Sequence, residues 1–201
     1  MIFVRHRCNS LPELLDTSNS YGVEIDIRSN NGELIINHDL NSNNTLFSEW
    51  IKYFNHKLLI LNVKEDNLEP LILDYLKKYN IDNFFFLDQP FPSLVKNVNL
   101  GLSNCAIRVS EYEPISTAYH FKEKCSWLWI DCFTEFPLQK NDIYNIKKSN
   151  FKLCIVSPEL QGRNSENDIL KMYDTLNFLN IIPDAICTKN IFLWDQLFSK
   201  S

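Results

Sequence analysis

An α/β fold closed into a small (β/α)8 TIM barrel is what this sequence predicts, on three observations. Short apolar runs rich in β-branched and aromatic residues recur eight times along the chain. Helical segments lie between most of them, and no linker or compositional break interrupts the series. Eight such units in 201 residues come to about 25 residues each, near the lower limit of roughly 200 residues for such barrels. One domain over residues 1–201 is expected.

The elements follow in order. Ile2–Arg7 is a β-branched and aromatic run. Ser10-Leu-Pro-Glu13 then has the spacing of a capped helix start. Gly22–Arg28 alternates strictly, which is the period of a strand. Asn30-Asn31-Gly32 supplies residues that tolerate positive φ, so Glu33–Asn37 should return as a hairpin partner. Leu46–Phe54 has helical spacing, and Lys57–Lys64 is a strand. Asn67–Tyr79 puts Leu68, Leu71, Ile72, Tyr75 and Leu76 on one helical face. Strands are expected near 83–88, 104–110, 126–133, 152–157 and 185–188. Helical pieces near 93–98, 115–121, 142–148, 165–179 and 192–198 separate or close them.

Composition narrows the function classes. Hydrophobic residues make up 45% and the net charge is only -5, which excludes a disordered chain. Four glycines and 13% aromatic residues indicate packed structure. No apolar run approaches the roughly 18 residues of a membrane span, so no integral membrane segment is expected. Met1-Ile2-Phe3-Val4-Arg5-His6-Arg7 places its basic residues after its apolar ones, with no long apolar region behind them, unlike a signal peptide. The six cysteines show no CxxC or zinc-type spacing, and they read as reduced core residues of a cytoplasmic protein. Twenty basic against twenty-five acidic side chains, without a basic tract, argue against nucleic acid as a partner. Nothing in the sequence specifies an oligomeric state.

Barrel enzymes build their sites at the C-terminal ends of the strands, and polar residues gather there. The first strand ends in His6-Arg7. The second carries Glu24 and Asp26, two apart and therefore on one face. The hairpin ends in His38-Asp39, the next strand in Asn62-Val63-Lys64, and the following one in Asp88-Gln89. Arg108, Glu111, Asp131, Glu159 and Arg163 continue the rim as candidate substrate contacts. Two inward carboxylates are costly to bury unless a cation or hydrogen bonds compensate. Oxygen ligands suit Mg²⁺ or Ca²⁺, although a strand with its polar face in solvent would show the same pattern. His6 and His38 are candidates for an acid/base pair. Arg7 and Lys64 add the positive charge that a phosphate needs.

The ordered series His6-Arg7, Gly22-Val23-Glu24-Ile25-Asp26-Ile27 and Asn31-Gly32 through His38-Asp39 resembles the glycerophosphodiester phosphodiesterases, within the phospholipase-C-like phosphodiesterase barrels. The match is specific over residues 4–39. Lys64 and Asp184–Thr188 resemble later landmarks more weakly. The resemblance implies a phosphoric diester hydrolase that cleaves a glycerol- or sugar-linked phosphodiester with a divalent cation, Mg²⁺ or Ca²⁺. By position, His6 and His38 would be the acid/base pair, and Arg7 and Lys64 would hold the phosphate. Glu24 and Asp26 would be metal ligands, with Asn62 and Asp88 as further oxygen donors. The chain departs from the family at Asn62, where the pattern has Glu, and at Cys8-Asn9-Ser10, where Glu-Asn-Thr is missing. Thr188-Lys189-Asn190 replaces an Asp near the chain end, and the usual insertion after the hairpin is absent. An alternative is a barrel that binds phosphoryl ligands without turnover, having lost a metal ligand at Asn62. A sugar-phosphate isomerase or aldolase would instead need a desolvated strand lysine, and Lys64 stands in a charged stretch.

Overall fold

Gly22 opens the second strand at a point where no side chain fits. A Cβ there would lie 3.0 Å from the Leu58 Cβ, the Leu58 carbonyl oxygen and the Val4 Cγ2. The close approach lets three neighbouring strands converge at the floor of a ring. The computed structural model describes residues 1–39 and 44–199. Its first half contains β1 (Ile2–Arg5), α1 (Leu11–Asp16), β2 (Gly22–Asn30), β3 (Glu33–Ile36), β4 (Thr45–Leu46) and α2 (Phe47–Trp50, continued by a 3-10 turn Ile51–Tyr53). It continues with β5 (Leu59–Val63), α3 (Glu69–Lys78), β6 (Phe84–Leu87), α4 (Phe91–Asn99), β7 (Ala106–Val109) and α5 (Ile115–Tyr119). Then follow β8 (Trp127–Ile130), α6 (Lys140–Lys147), β9 (Lys152–Val156), a 3-10 turn Pro158–Gln161, α7 (Ser165–Phe178), β10 (Ala185–Thr188) and α8 (Ile191–Ser199).

Eight of these strands pair in parallel: β1 with β2 and β10, β2 with β5, β5 with β6, and β7 through β8 and β9 to β10. The remaining seam, between β6 and β7, is joined by one parallel bridge, Phe86 to Cys105, where the Phe86 N–H donates to the Asn104 carbonyl at 2.8 Å. The eight expected strands are therefore all present and in the expected order. The expected hairpin is present as well, with β3 antiparallel to β2.

Strand alternation divides the apolar residues into two groups. Phe3, Val23, Ile25, Leu61, Phe86 and Ile155 face outward with the helices. Val4, Ile60, Phe85, Trp127, Trp129 and Cys187 belong to a second cluster that contains no α-helical residue, and this cluster fills the barrel. Such a filled interior makes the barrel a packed core rather than a pore. Phe85 stacks on Trp127 with ring centroids 4.6 Å apart and meets Trp129 edge-on at 6.5 Å. The six cysteines are all buried and unpaired, as their placement in apolar runs suggests.

Two local expectations differ from the structure. The helix expected over 46–54 is a single α-turn followed by a 3-10 turn, preceded by a strand pair between Thr45-Leu46 and the end of β3. A two-residue strand is too short to produce a period. The first strand stops at Arg5, because Arg7 turns into the left-handed region with φ 53°. Among the described residues outside glycine, eight have positive φ, and only Arg7 and Glu123 are neither Asn nor Asp. Arg7 is thus a costly place for such a turn. The turn belongs to the site described next.

Candidate active site

Period-two alternation turns Glu24 and Asp26 into the barrel, and each is 1% exposed. Register sets Asp26 beside Asn62 on β5. Glu24 accepts the Arg7 backbone N–H on Oε2 at 2.7 Å and the Asn62 amide on Oε1 at 3.0 Å. The left-handed turn at Arg7 thus delivers a main-chain donor to a buried carboxylate. Burial and the neighbouring Asp26 charge push the Glu24 carboxyl upward from its ordinary value. Asp26 is held differently. Its Oδ2 accepts the Asn9 amide at 2.9 Å, and its own N–H donates to Asn9 Oδ1 at 2.9 Å. Lys64 Nζ lies 3.0 Å from Oδ1. Burial alone would raise Asp26, but the Asn9 amide and the Lys64 ammonium outweigh it and hold the group below its ordinary value. The two carboxylates are two residues apart and tuned in opposite directions.

His6 follows β1 with its Nε2 3.8 Å from Glu24 Oε2, and its Nδ1 is buried without a hydrogen-bond partner. Burial, then Arg7 and Lys189, lower its pKa to about 4, so the ring is neutral at pH 7. His38 follows β3. The Arg7 guanidinium donates to His38 Nε2 at 2.6 Å, while Nδ1 stands 2.9 Å from Asp39 Oδ1. A guanidinium has only N–H groups to offer, so Nε2 is the acceptor and Nδ1 carries the proton toward Asp39. Arg7 Nε also approaches Asp26 Oδ2 at 3.7 Å. His6, Arg7, Glu24, Asp26, His38, Asn62 and Lys64 therefore come together at one side of the barrel mouth.

The other expected site residues have partners of their own. Asp88 is bonded to Arg108, which also reaches Asp131 at 3.3 Å. The structure thus pairs Asp88 with Arg108. Glu159 accepts the Thr188 hydroxyl at 2.5 Å and the Lys189 N–H at 3.0 Å, and also bonds Ser157. Arg163 lies 3.4 Å from Asp168 and 3.5 Å from the Cys132 carbonyl. Glu111 accepts the backbone N–H groups of Phe133, Thr134 and Glu135 at 3.2, 2.6 and 2.7 Å. These three rim residues fasten loops to one another. Two residues have geometric roles that the sequence reading did not assign: Asn9, which holds Asp26, and Asp39, named there only as part of the His38-Asp39 pair, which backs His38. Asn9 stands in the segment where the family's Glu-Asn-Thr is missing, and its position in that gap was the available signal.

The Glu111 anchor has a pH consequence. Burial pushes this carboxyl up, but the Glu135 and Thr134 N–H groups outweigh it and draw the pKa down to about 2 from an ordinary 4.5. A group with a depressed folded pKa contributes stability above its unfolded value and loses it as pH falls through the folded one. Between pH 4.5 and 2 the wild type should lose about 1–2 kcal/mol from this group, after allowance for solvent screening. Glu111→Gln should be less stable at pH 7 and show a flatter profile across that window in urea melts. Parallel profiles for the two proteins would remove Glu111 from this role.

A divalent cation at this place would need oxygen donors. Asn62 Oδ1 is buried and has no hydrogen-bond partner. An orphaned acceptor oxygen beside two buried carboxylates suits a hard cation. Among the described residues no three His, Cys, Asp or Glu side chains form a metal-holding group, so the available donor set is two carboxylates and one amide oxygen. That set would suit a hard cation, with one negative charge fewer than three carboxylates would bring.

No family model and no curated protein matches the sequence. Solved structures do match its fold. A candidate glycerophosphodiester phosphodiesterase from Galdieria sulphuraria superposes with a TM-score of 0.73 at 15% identity, covering 98% of this chain and 97% of that one. A glycerophosphoryl diester phosphodiesterase from Parabacteroides distasonis gives 0.68 at 11% identity, over 99% and 86%. A glycerophosphodiester phosphodiesterase from Agrobacterium tumefaciens gives 0.64 at 10% identity, over 99% of both chains. The chain has the fold of the glycerophosphodiester phosphodiesterases, the barrels that its own His6-Arg7, Glu24-x-Asp26 and His38-Asp39 series resembles.

Proposed function

We propose that the protein is a phosphoric diester hydrolase acting on a glycerol- or sugar-linked phosphodiester. One observation carries the reading: two imidazoles, two buried carboxylates and two cationic side chains converge at the C-terminal mouth of the barrel. Arg7 and Lys64 hold the phosphoryl oxygens. His6, kept neutral by burial, takes the proton from a substrate hydroxyl beside the phosphate as that oxygen attacks phosphorus. In the resting arrangement the Arg7 guanidinium occupies His38 Nε2. Drawn to the phosphate, it frees that nitrogen to carry a proton, and Asp39 stabilises the resulting imidazolium. His38 then protonates the departing alkoxide. In the second step the roles reverse as water opens the cyclic phosphate. Glu24, Asp26 and Asn62 Oδ1 would hold the divalent cation, which neutralises charge on the phosphoryl oxygens when bound.

Hydrolysis of a panel of glycerophosphodiesters and sugar phosphodiesters, with Mg²⁺ or Ca²⁺ added, tests the proposal. Asn62 also favours a second reading, a barrel that binds phosphoryl ligands without turnover. Product release from any member of the panel rejects that second reading, and silence across the panel rejects the first. A further variant probes the cation site without relying on activity. Asn62→Glu should bind Ca²⁺ or Mg²⁺ about tenfold more tightly by calorimetry, since carboxylate count sets affinity for hard cations. Three crowded carboxylates should also lower the melting temperature of the cation-free variant, and the added cation should restore it. Unchanged affinity would place the cation away from Asn62.

A further inference from the structure

Period two continues along β2 past the two carboxylates. Glu24, Asp26 and Arg28 share one face, opposite Val23, Ile25 and Ile27, which pack outward. Arg28 is therefore the next inward side chain toward the mouth, and it is 20% exposed. Its terminal nitrogens have protein partners. Nη2 donates to the His38 carbonyl at 3.3 Å, and Nη1 lies 3.9 Å from Glu65 Oε1. The Nε is buried and has no partner among the described residues.

Both partners reach Arg28 through strand register. The Asn37 N–H donates to the Asp26 carbonyl at 3.0 Å and so continues the β2–β3 ladder by one residue. At His38 the strand has ended, and the Arg28 side chain takes the main-chain carbonyl. From the other side, the β2–β5 register runs through Asp26–Asn62 and Ile27–Val63 to the Lys64 N–H, which donates to the Ile27 carbonyl at 3.0 Å. Glu65 follows directly. Its Oε2 accepts the Ser29 N–H at 3.1 Å and the Ser29 hydroxyl at 2.6 Å, which fixes the carboxylate toward Arg28. A planar guanidinium can serve two acceptors in fixed directions, as a rotating ammonium cannot. One side chain thus couples β2 and the segment after β5 to the backbone of His38.

We infer that Arg28 is a positioning residue for His38, holding the imidazole, through the His38 carbonyl, where it meets the leaving oxygen. The inference rests on the reading of His38 as the acid for the departing alkoxide. Displacing a catalytic group by about 1 Å can cost about 10²-fold in rate. Two diesters with glycerol as the attacking half provide the test: glycerophosphocholine, whose alkoxide needs a proton, and glycerol p-nitrophenyl phosphate, whose phenolate does not. In single turnover with Mg²⁺ or Ca²⁺, Arg28→Met should slow the first about 10- to 100-fold and the second less than about threefold, with apparent affinities within about twofold of wild type. Arg28→Lys should recover part of the loss. Glu65→Gln keeps an acceptor for Ser29 and hence the fold, and should give a smaller loss with the same selectivity. Equal losses on both diesters would make Arg28 a structural staple, and weakened affinity at unchanged rate would make it a phosphate contact. Either result overturns the inference. His38→Ala on the same pair separates the two readings, since a loss without leaving-group selectivity there removes His38 as the acid. NMR of the ligand-free full chain then decides for Arg28, as it does if neither diester is hydrolysed. In Arg28→Met and Glu65→Gln the His38 ring signals should broaden or average while those of His6 stay as in wild type. Unchanged His38 signals in both variants overturn the inference.

Discussion

His38→Ala is expected to lower kcat for a hydrolysed phosphodiester about 10²–10⁴-fold, the usual contribution of a positioned acid or base. Departure of an alkoxide without a proton is the step that suffers. The side chain is 39% exposed and hydrogen-bonds Arg7 and Asp39, so the loss should leave the melting temperature close to wild type. The variant also frees Arg7 from its imidazole partner, so KM should rise little or fall. A normal kcat in a folded His38→Ala protein would end the two-histidine mechanism. Asp39→Asn should give a smaller loss in the same direction, because it removes the partner that stabilises the imidazolium while leaving the ring in place.

Phe85→Ala should destabilise the fold by about 3–5 kcal/mol, the range for emptying a large aromatic from a packed core. Phe85 is fully buried; across the barrel interior it stacks on Trp127 and meets Trp129 edge-on, both on β8. It therefore ties β6 to the strand beyond β7, across the seam that has one main-chain bridge. The surrounding rings are too rigid and too tightly held to close over the gap, so the cavity term adds to the lost transfer energy. At about 2–4 °C per kcal/mol for a chain of this size, the melting temperature should fall by roughly 6–20 °C. Phe85→Leu should recover part of the difference. A loss below 1 kcal/mol would mean that the interior collapses around the deletion.

The strands were readable because each is buried on both faces and bounded by polar residues, which leaves a sharp apolar run. His6, Arg7, Glu24, Asp26 and His38 were readable for a related reason: their spacing within 4–39 is local. Lys64 joins them through the Asp26–Asn62 register, which is short-range along the ring. Residues brought together by closure of the barrel were not readable. Asp88, Arg108 and Asp131 come from three different strand ends, and no periodicity says which charge meets which. Glu111 and Glu159 looked like rim carboxylates because they follow strands. Their partners are backbone N–H groups and hydroxyls of neighbouring loops, and the one-dimensional pattern does not record such partners. Asn9 was hidden because its short polar side chain is equally at home in any turn.

The six buried thiols turn the protein into its own unfolding reporter. All six are unpaired, and burial pushes Cys8 to about 11 and Cys125 to about 12, with the others also raised. Alkylation needs a thiolate that solvent can reach, so reagent meets these sulfurs only when the structure around them opens. Cys8 lies after β1, Cys105 at the seam, Cys132 after β8, and Cys154 and Cys187 inside the barrel. Mass-resolved labelling over time would therefore separate local breathing at the seam from opening of the whole ring. It would do so without a single engineered probe.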